Sequence, residues 1–148
     1  PKPIDLIRTW EERGYSIGFT NGCFDLIHPG HISLLHCAKN ECDKLVVGLN
    51  SDSSVAKLKG KDRPIQKENA RATVLLALKD VDVVIIFNEE TPIKLIELIK
   101  PDVLIKGGDY KIDEIVGAEF IQQNGGRVVL SDYKKGHSTS DIIKKIES

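Results

Sequence analysis

The sequence predicts an α/β fold, an open five-stranded parallel sheet with helices on both faces, and three observations support this. Short apolar runs alternate with helical patterns along the whole chain, as they do where parallel strands are joined by helical crossovers. The run at residues 44–50 is apolar through its middle, which suits a strand covered on both sides. The length of 148 residues, with 41% hydrophobic and 29% charged side chains, suits one domain over residues 1–148 with a single core. The strand order expected of such a chain is 3-2-1-4-5.

The elements follow in order. Residues 4–13 form a leading helix, with Ile4, Leu6, Ile7 and Trp10 apolar and Gly14 to end it. Residues 16–20 are the first strand. Residues 29–39 are a helix with Ile32, Leu35 and Ala38 on one face, and 44–50 the second strand. A short helix at 51–58 leads into a basic loop at 59–66 that carries Gly60 and Pro64. A helix at 68–79 precedes the third strand at 83–87. Thr91 caps the next helix, with Pro92 at its first position, and that helix stops before Pro101. Residues 103–105 are the fourth strand, 112–123 a helix closed by Asn124-Gly125-Gly126, 127–130 the fifth strand and 138–146 the last helix. In open sheets of this kind ligands bind beyond the carboxyl ends of the strands. The segments expected to carry chemistry are therefore 21–31, 51–63, 106–110 and 131–140.

Basic and acidic side chains nearly cancel, at 21 against 22. Nucleic acid and membrane surface are both disfavoured as partners, because each selects a basic excess. An anionic ligand must then be held by a local site. Cys23, Cys37 and Cys42 are odd in number and lack C-x-x-C spacing, which disfavours a disulfide framework or a zinc site and suits a reducing compartment. With no apolar run of about 18 residues and no signal-like N-terminus, the expected location is the cytoplasm. The chain contains no methionine, so either its initiator has been removed or it was cut from a longer protein.

The most informative stretch runs from Thr20 to His31. It follows a strand and opens a helix. Gly22 allows a backbone geometry that a side chain forbids, and Pro29 suits a first helical position. His28 then falls near the N-cap and His31 one turn later on the same side. Two imidazoles flank a helix N-terminus whose N–H groups and dipole attract anions, and Gly30 leaves room between them for a phosphate oxygen. A third ligand at zinc-site spacing is missing, as is any nucleophile with a base at fixed spacing.

Gly22-Cys23-Phe24-Asp25 followed by His28-Pro29-Gly30-His31 resembles the G-x-F-D-x-x-H-x-G-H signature of the cytidylyltransferase-like nucleotidyltransferases. Leu58-Lys59-Gly60 with Arg63-Pro64, then Lys106-Gly107-Gly108-Asp109-Tyr110, then Gly136-His137-Ser138-Thr139 follow in that family's order. The resemblance covers nearly the whole chain and is nearest to the heptose 1-phosphate adenylyltransferases, which also occur as the C-terminal half of bifunctional ADP-heptose synthases. It implies a Rossmann-like fold. It further implies that His28, His31 and Lys59 are catalytic, with the two histidines stabilising charge on the α-phosphoryl group. Thr20, Asn21, Gly22, Cys23, Phe24 and Gly30 are implied around the nucleotide, and Arg71 at its triphosphate. Gly107 and Asp109 are implied at the nucleoside, Ser138 and Thr139 at the β and γ phosphates. Asp25, Lys57 and Arg63 are implied at the phosphosugar, Asp25 near the metal as well. Tyr133, followed by Lys134 and Lys135, stands where cytidylyltransferases place an arginine, which counts against CTP as the donor.

The reaction implied is transfer of AMP from ATP to D-glycero-β-D-manno-heptose 1-phosphate, releasing pyrophosphate. The alternative is CTP-dependent cytidylyl transfer to glycerol 3-phosphate or a similar small phosphate ester. Either acceptor is mostly dianionic near neutral pH, because a phosphate monoester has its second pKa at about 6, so no general base is required. The reaction instead requires positioned donors, lysines and a divalent cation to offset repulsion between two anions. Mg²⁺ is the expected cofactor, held mainly by phosphates and water. The resemblance also implies a homodimer.

Overall fold

The computed structural model describes residues 2–131 and 139–147. Strands β1 (Ile17–Gly22), β2 (Lys44–Asn50), β3 (Val83–Phe87), β4 (Val103–Gly107) and β5 (Arg127–Ser131) form one parallel sheet in the order β3-β2-β1-β4-β5. This is the expected order. Helix α1 (Pro3–Glu12) precedes β1, and α2 (Pro29–Asn40) joins β1 to β2. Helices α3 (Asp52–Lys59) and α4 (Glu68–Leu76) join β2 to β3, α5 (Ile93–Ile99) joins β3 to β4, α6 (Ala118–Gln123) joins β4 to β5, and α7 (Thr139–Glu147) follows β5. The chain steps outward from β1 to β3 and then returns across β1 to β4. The order therefore reverses between β1 and β4, and a crevice opens there at the carboxyl ends.

Strand side chains alternate between two cores, as the pleat requires. Leu45, Val47 and Leu49 of β2, with Val103 and Ile105 of β4, meet Leu35 and Ala38 of α2 and Leu75 of α4. Phe19 and Leu104 face the other way, onto Ile96 of α5 and Ala118 and Ile121 of α6. Ile17 and Val46 join them on that face, against Ile7 of α1 and Ile99 of α5. Strand β2 is thus covered on both sides, as its apolar run predicts. Gly48 in its middle makes room for Phe19, because a Cβ there would lie 2.6 Å from the Phe19 Cζ.

Several boundaries depart from expectation for identifiable reasons. The helix expected over 112–123 is broken into a 3-10 turn, Ile112–Glu114, and α6. The break falls at Gly117, which takes φ +88, a left-handed conformation costing other residues about 1–2 kcal/mol. A Cβ on Gly117 would also meet Ile96 Cδ1 at 2.8 Å. The helix expected over 68–79 ends at Leu76, and the chain turns to bring the Asp82 carboxylate onto the Leu45 N–H at 2.8 Å. Pro92 itself, not Thr91, occupies the N-cap of α5, without a side-chain cap. Lys59, expected in a loop, closes α3, where its charge and that of Lys57 lie in the last turn and favour the helix dipole.

Candidate active site

The turn after β1 is held by packing. Phe24 (φ +46) and Leu26 (φ +54) take left-handed backbone, which persists only where the surroundings over-determine it. Phe24 is 3% exposed and belongs to the core beneath α2. A Cβ on Gly22 would lie 3.0 Å from its ring, so Gly22 is needed for space and not for the unusual backbone the sequence suggests.

The two histidines cap α2 reciprocally. The Gly30 N–H donates to His28 Nδ1 at 3.1 Å, and the His28 N–H donates to His31 Nδ1 at 3.2 Å. Each Nδ1 is therefore an acceptor, and each neutral ring carries its proton on Nε2. The rings stack with centroids 3.8 Å apart and planes inclined by 33°, and Phe24 backs His31 at 5.2 Å. Burial, then the adjacent His28 and Lys59, push the His31 pKa down to about 4. At neutral pH His31 is an uncharged N–H donor beside the amides of a helix N-terminus, an arrangement suited to a phosphate oxygen.

Behind the turn lies a polar scaffold. Arg71, expected at the triphosphate, is 0% exposed. Its Nε donates to Gln66 O (2.9 Å), its Nη1 to Cys23 O (2.7 Å) and Asn50 O (2.8 Å), and its Nη2 to Asp52 Oδ1 (2.9 Å). It ties the β1 turn, the end of β2, the basic loop and the start of α3 to one guanidinium and has no exposed surface for a nucleotide. Asp25, expected at the sugar phosphate and metal, is 1% exposed. Its carboxylate accepts the N–H of Ile65 (2.6 Å) and of Gln66 (3.0 Å) and lies 3.8 Å from Arg63 Nε. Helices α3 and α4 cap each other: Asp52 Oδ1 accepts the Glu68 N–H at 2.8 Å, and Glu68 Oε1 accepts the Asp52 N–H at 2.9 Å. Thr20 is 1% exposed and its Oγ1 is buried without a hydrogen-bond partner among the described residues, as are Nε and Nη2 of Arg63. Thr20, Phe24, Asp25 and Arg71 thus build the site from behind.

A cleft of about 510 Å³ opens at the switch point, in the range of small-ligand sites. Asn21, Gly22, Cys23 and Asn50 line it at the ends of β1 and β2, Lys59 from α3, and Lys106 and Tyr110 from β4 and the segment beyond. Glu90, Thr91 and Pro92 close it on one side and Glu114, Ile115 and Val116 on another. Burial raises the Cys23 pKa against the pull of Lys59, Arg71 and Arg63, so Cys23 is a thiol. Lys59 is brought to the cleft; Lys57, two residues earlier, is exposed on another side of the helix. Asp109 lines a neighbouring cavity of about 560 Å³ with Gly108, Lys111, Leu130 and Ser131, and Tyr110 and Glu114 border both. Gly107 ends β4 against Leu34. Thr139 begins α7, while Tyr133, His137 and Ser138 lie outside the described residues. Among the described residues no three His, Cys, Asp or Glu side chains form a metal-binding group.

Sequence reasoning marked the segment of Lys106 but gave that residue no role, and missed Asn50 and the wall at residues 90–92. The rule that ligands gather after strands points to all three, but the segment after β3 also reads as a helix cap, and Asn50 is the last residue of β2 and Lys106 the last but one of β4.

The profile of the cytidylyltransferase-like family matches residues 19–145. The chain belongs to the cytidylyltransferase-like family. Among the relatives of this family member, the bifunctional protein HldE of Paramagnetospirillum magneticum is 56% identical over 142 residues, which are 96% of this chain and 29% of that protein. The bifunctional protein HldE of Mesorhizobium japonicum is 54% identical over 143 residues, 97% of this chain and again 29% of that protein. The chain thus spans less than a third of the length of these curated relatives. A lipopolysaccharide core biosynthesis protein of Thermoplasma volcanium has a similar structure, with TM-score 0.67 and 35% identity over 82% of this chain and 98% of that one. A pantoate-β-alanine ligase of Francisella tularensis, at TM-score 0.61 and 20% identity over 91% of this chain and 67% of that one, shares the fold. No described helix is long and apolar enough to cross a membrane.

Proposed function

We propose that this chain acts as one domain that transfers AMP from ATP to a sugar 1-phosphate, D-glycero-β-D-manno-heptose 1-phosphate, giving ADP-heptose and pyrophosphate. One observation carries the reaction class. Two stacked imidazoles, each fixed with its proton on Nε2 by a cap at Nδ1, stand at the N-terminus of α2. Neutral donors beside helix amides stabilise charge that grows on a phosphoryl group without the cost of holding two like charges together. The HldE relatives and the resemblance to heptose 1-phosphate adenylyltransferases support the sugar. The Thermoplasma relative's name supports a product used in building lipopolysaccharide.

In this reading the triphosphate lies over His28 and His31, and Ser138 and Thr139 bind its β and γ phosphates, as the resemblance implies. The nucleoside occupies the cavity lined by Gly108 and Asp109, and the acceptor the cleft between β1 and β4. The acceptor's phosphate oxygen forms a bond to the α-phosphorus as the bond to the β-phosphate oxygen breaks, and pyrophosphate leaves with its electron pair. Lys59, whose charge acts on both His31 and Cys23, offsets the repulsion between the two anions. The cleft offers separate carboxylates, Glu90 and Glu114, and no clustered set, a donor set that fits Mg²⁺ carried by phosphate oxygens and water. Bound there, the cation neutralises charge on the triphosphate. We propose a cytoplasmic homodimer with neither nucleic acid nor membrane as a partner.

The test is pyrophosphate release by the purified chain with Mg²⁺ across a panel of nucleoside triphosphates and phosphate acceptors. ATP with the heptose 1-phosphate should give the highest kcat/KM. A maximum at CTP with glycerol 3-phosphate overturns the choice of substrates, and no release with any pair overturns the reaction.

A further inference from the structure

Lys106 forms no ion pair among the described residues. It is the fourth residue of β4, next to β1 at the switch point, and its side chain lines the cleft with Cys23 and Lys59. Among the described residues no carboxylate pairs with it; its ammonium lies 5.1 Å from the Tyr110 ring centroid. Burial holds its pKa below the usual lysine value. A half-buried ammonium with no carboxylate paired to it is costly, and that cost is relieved when an anion binds it.

The cleft narrows the choice of anion. Its lining includes Cys23 but neither His28 nor His31, so it adjoins the imidazole pair without containing it. About 510 Å³ is far more than a phosphate group needs. Beyond the two lysines the wall offers Asn21, Asn50, Glu90 and Glu114, groups that pair with hydroxyls. An ammonium on one wall and polar acceptors on the others match a phosphorylated polyol, with lysine binding the phosphate as a point charge.

We propose that Lys106 holds the phosphate of the acceptor, facing it across the cleft from Lys59 and directing the sugar hydroxyls toward the amide and carboxylate wall. This rests on the proposed adenylyl transfer and adds a residue that selects for a phosphorylated acceptor. Lys106 gives up no proton in the role; its charge offsets that of the incoming dianion.

Calorimetric titration of inorganic phosphate into the chain, saturated with Mg²⁺ and a non-hydrolysable ATP analogue, reads this directly. The wild-type chain should bind phosphate in that state, and Lys106→Met should weaken it by about 10- to 100-fold, the loss of one charge-assisted hydrogen bond. Lys106→Arg should retain most of the affinity. In turnover, Lys106→Met should raise the KM for sugar 1-phosphate by a similar factor and leave the KM for ATP unchanged. A raised KM for ATP with unchanged phosphate affinity overturns the proposal in favour of the nucleotide. Unchanged values throughout, or a wild-type chain that binds no phosphate, overturn it outright. Lys106→Gln serves if the methionine variant fails to fold. Because the probe is inorganic phosphate, Lys106-dependent binding in a chain that turns over no sugar phosphate would refute the proposed function while sparing this inference.

Discussion

At the scale of single residues, His28 has two jobs that substitution can separate. Its Nδ1 caps α2, and its Nε2–H is the proposed donor. Asparagine is a good N-cap without an imidazole N–H, so His28→Asn should change stability by only a few tenths of a kcal/mol while turnover falls about 10²- to 10³-fold. Urea melts paired with pyrophosphate release check both halves, and near-normal turnover would remove the donor role. His31 gives a pH signature. Its pKa is about 4 in the folded chain against 6.5 unfolded, so between those values the unfolded state binds the extra proton. Stability should therefore fall as pH drops from 6.5 toward 4 and level off below, visible as a moving urea midpoint that is flatter in His31→Gln. Arg71 makes the opposite case. Its removal leaves the carbonyls of Cys23, Asn50 and Gln66 short of a buried donor, so Arg71→Met should cost about 3–5 kcal/mol of stability. A stable variant with only a raised KM for ATP would return Arg71 to the nucleotide. The placement of His28 at the N-cap of α2 and of His31 one turn on was legible in the spacing around Pro29, while the catalytic part proposed for them and for Lys59 is carried by the resemblance. Sequence could not separate Arg71 or Asp25 from them, since a charged side chain in a motif looks the same whether it points at a ligand or at neighbouring backbone groups.

At the scale of elements, periodicity revealed the strands and most helices but not where a helix is deliberately stopped. The apolar pattern at 112–123 runs on through Gly117, and only the packing of Ile96 against that glycine shows why the backbone must leave the helix there. The break places Ile115 and Val116 on the cleft wall. Gly117→Ala combines a forced positive φ with a contact at 2.8 Å, and should cost about 2 kcal/mol or more. The KM of the acceptor should rise more than that of ATP. Equal effects on both would show that the break does not shape the acceptor's wall.

At the scale of the whole molecule, the sheet order was legible because alternation of strand and helix leaves few right-handed solutions. The location of the cleft followed from the order, not from any single residue. Burial is uneven across the sheet: β2 is almost wholly buried, whereas Arg127 and Leu130 of the edge strand β5 are exposed. Hydrogen exchange under native conditions should therefore be slowest in β1 and β2 and markedly faster in β5; equal protection would contradict this gradient. The mutual capping of Asp52 and Glu68 bears on how such a molecule can change. The two helix starts clasp each other across residues 53–67, and Asp25 grips the far part at Ile65 and Gln66. The tip at Gly60, Lys61 and Asp62 is exposed and takes no part in those contacts. Length added between Lys61 and Asp62 then meets a bracket already closed, at an entropic cost of under about 1 kcal/mol for a few residues. Evolution, or an engineer, can rewrite that tip beside the cleft to alter which acceptor of the proposed reaction is admitted, while the clasp keeps the turn after β1 in register.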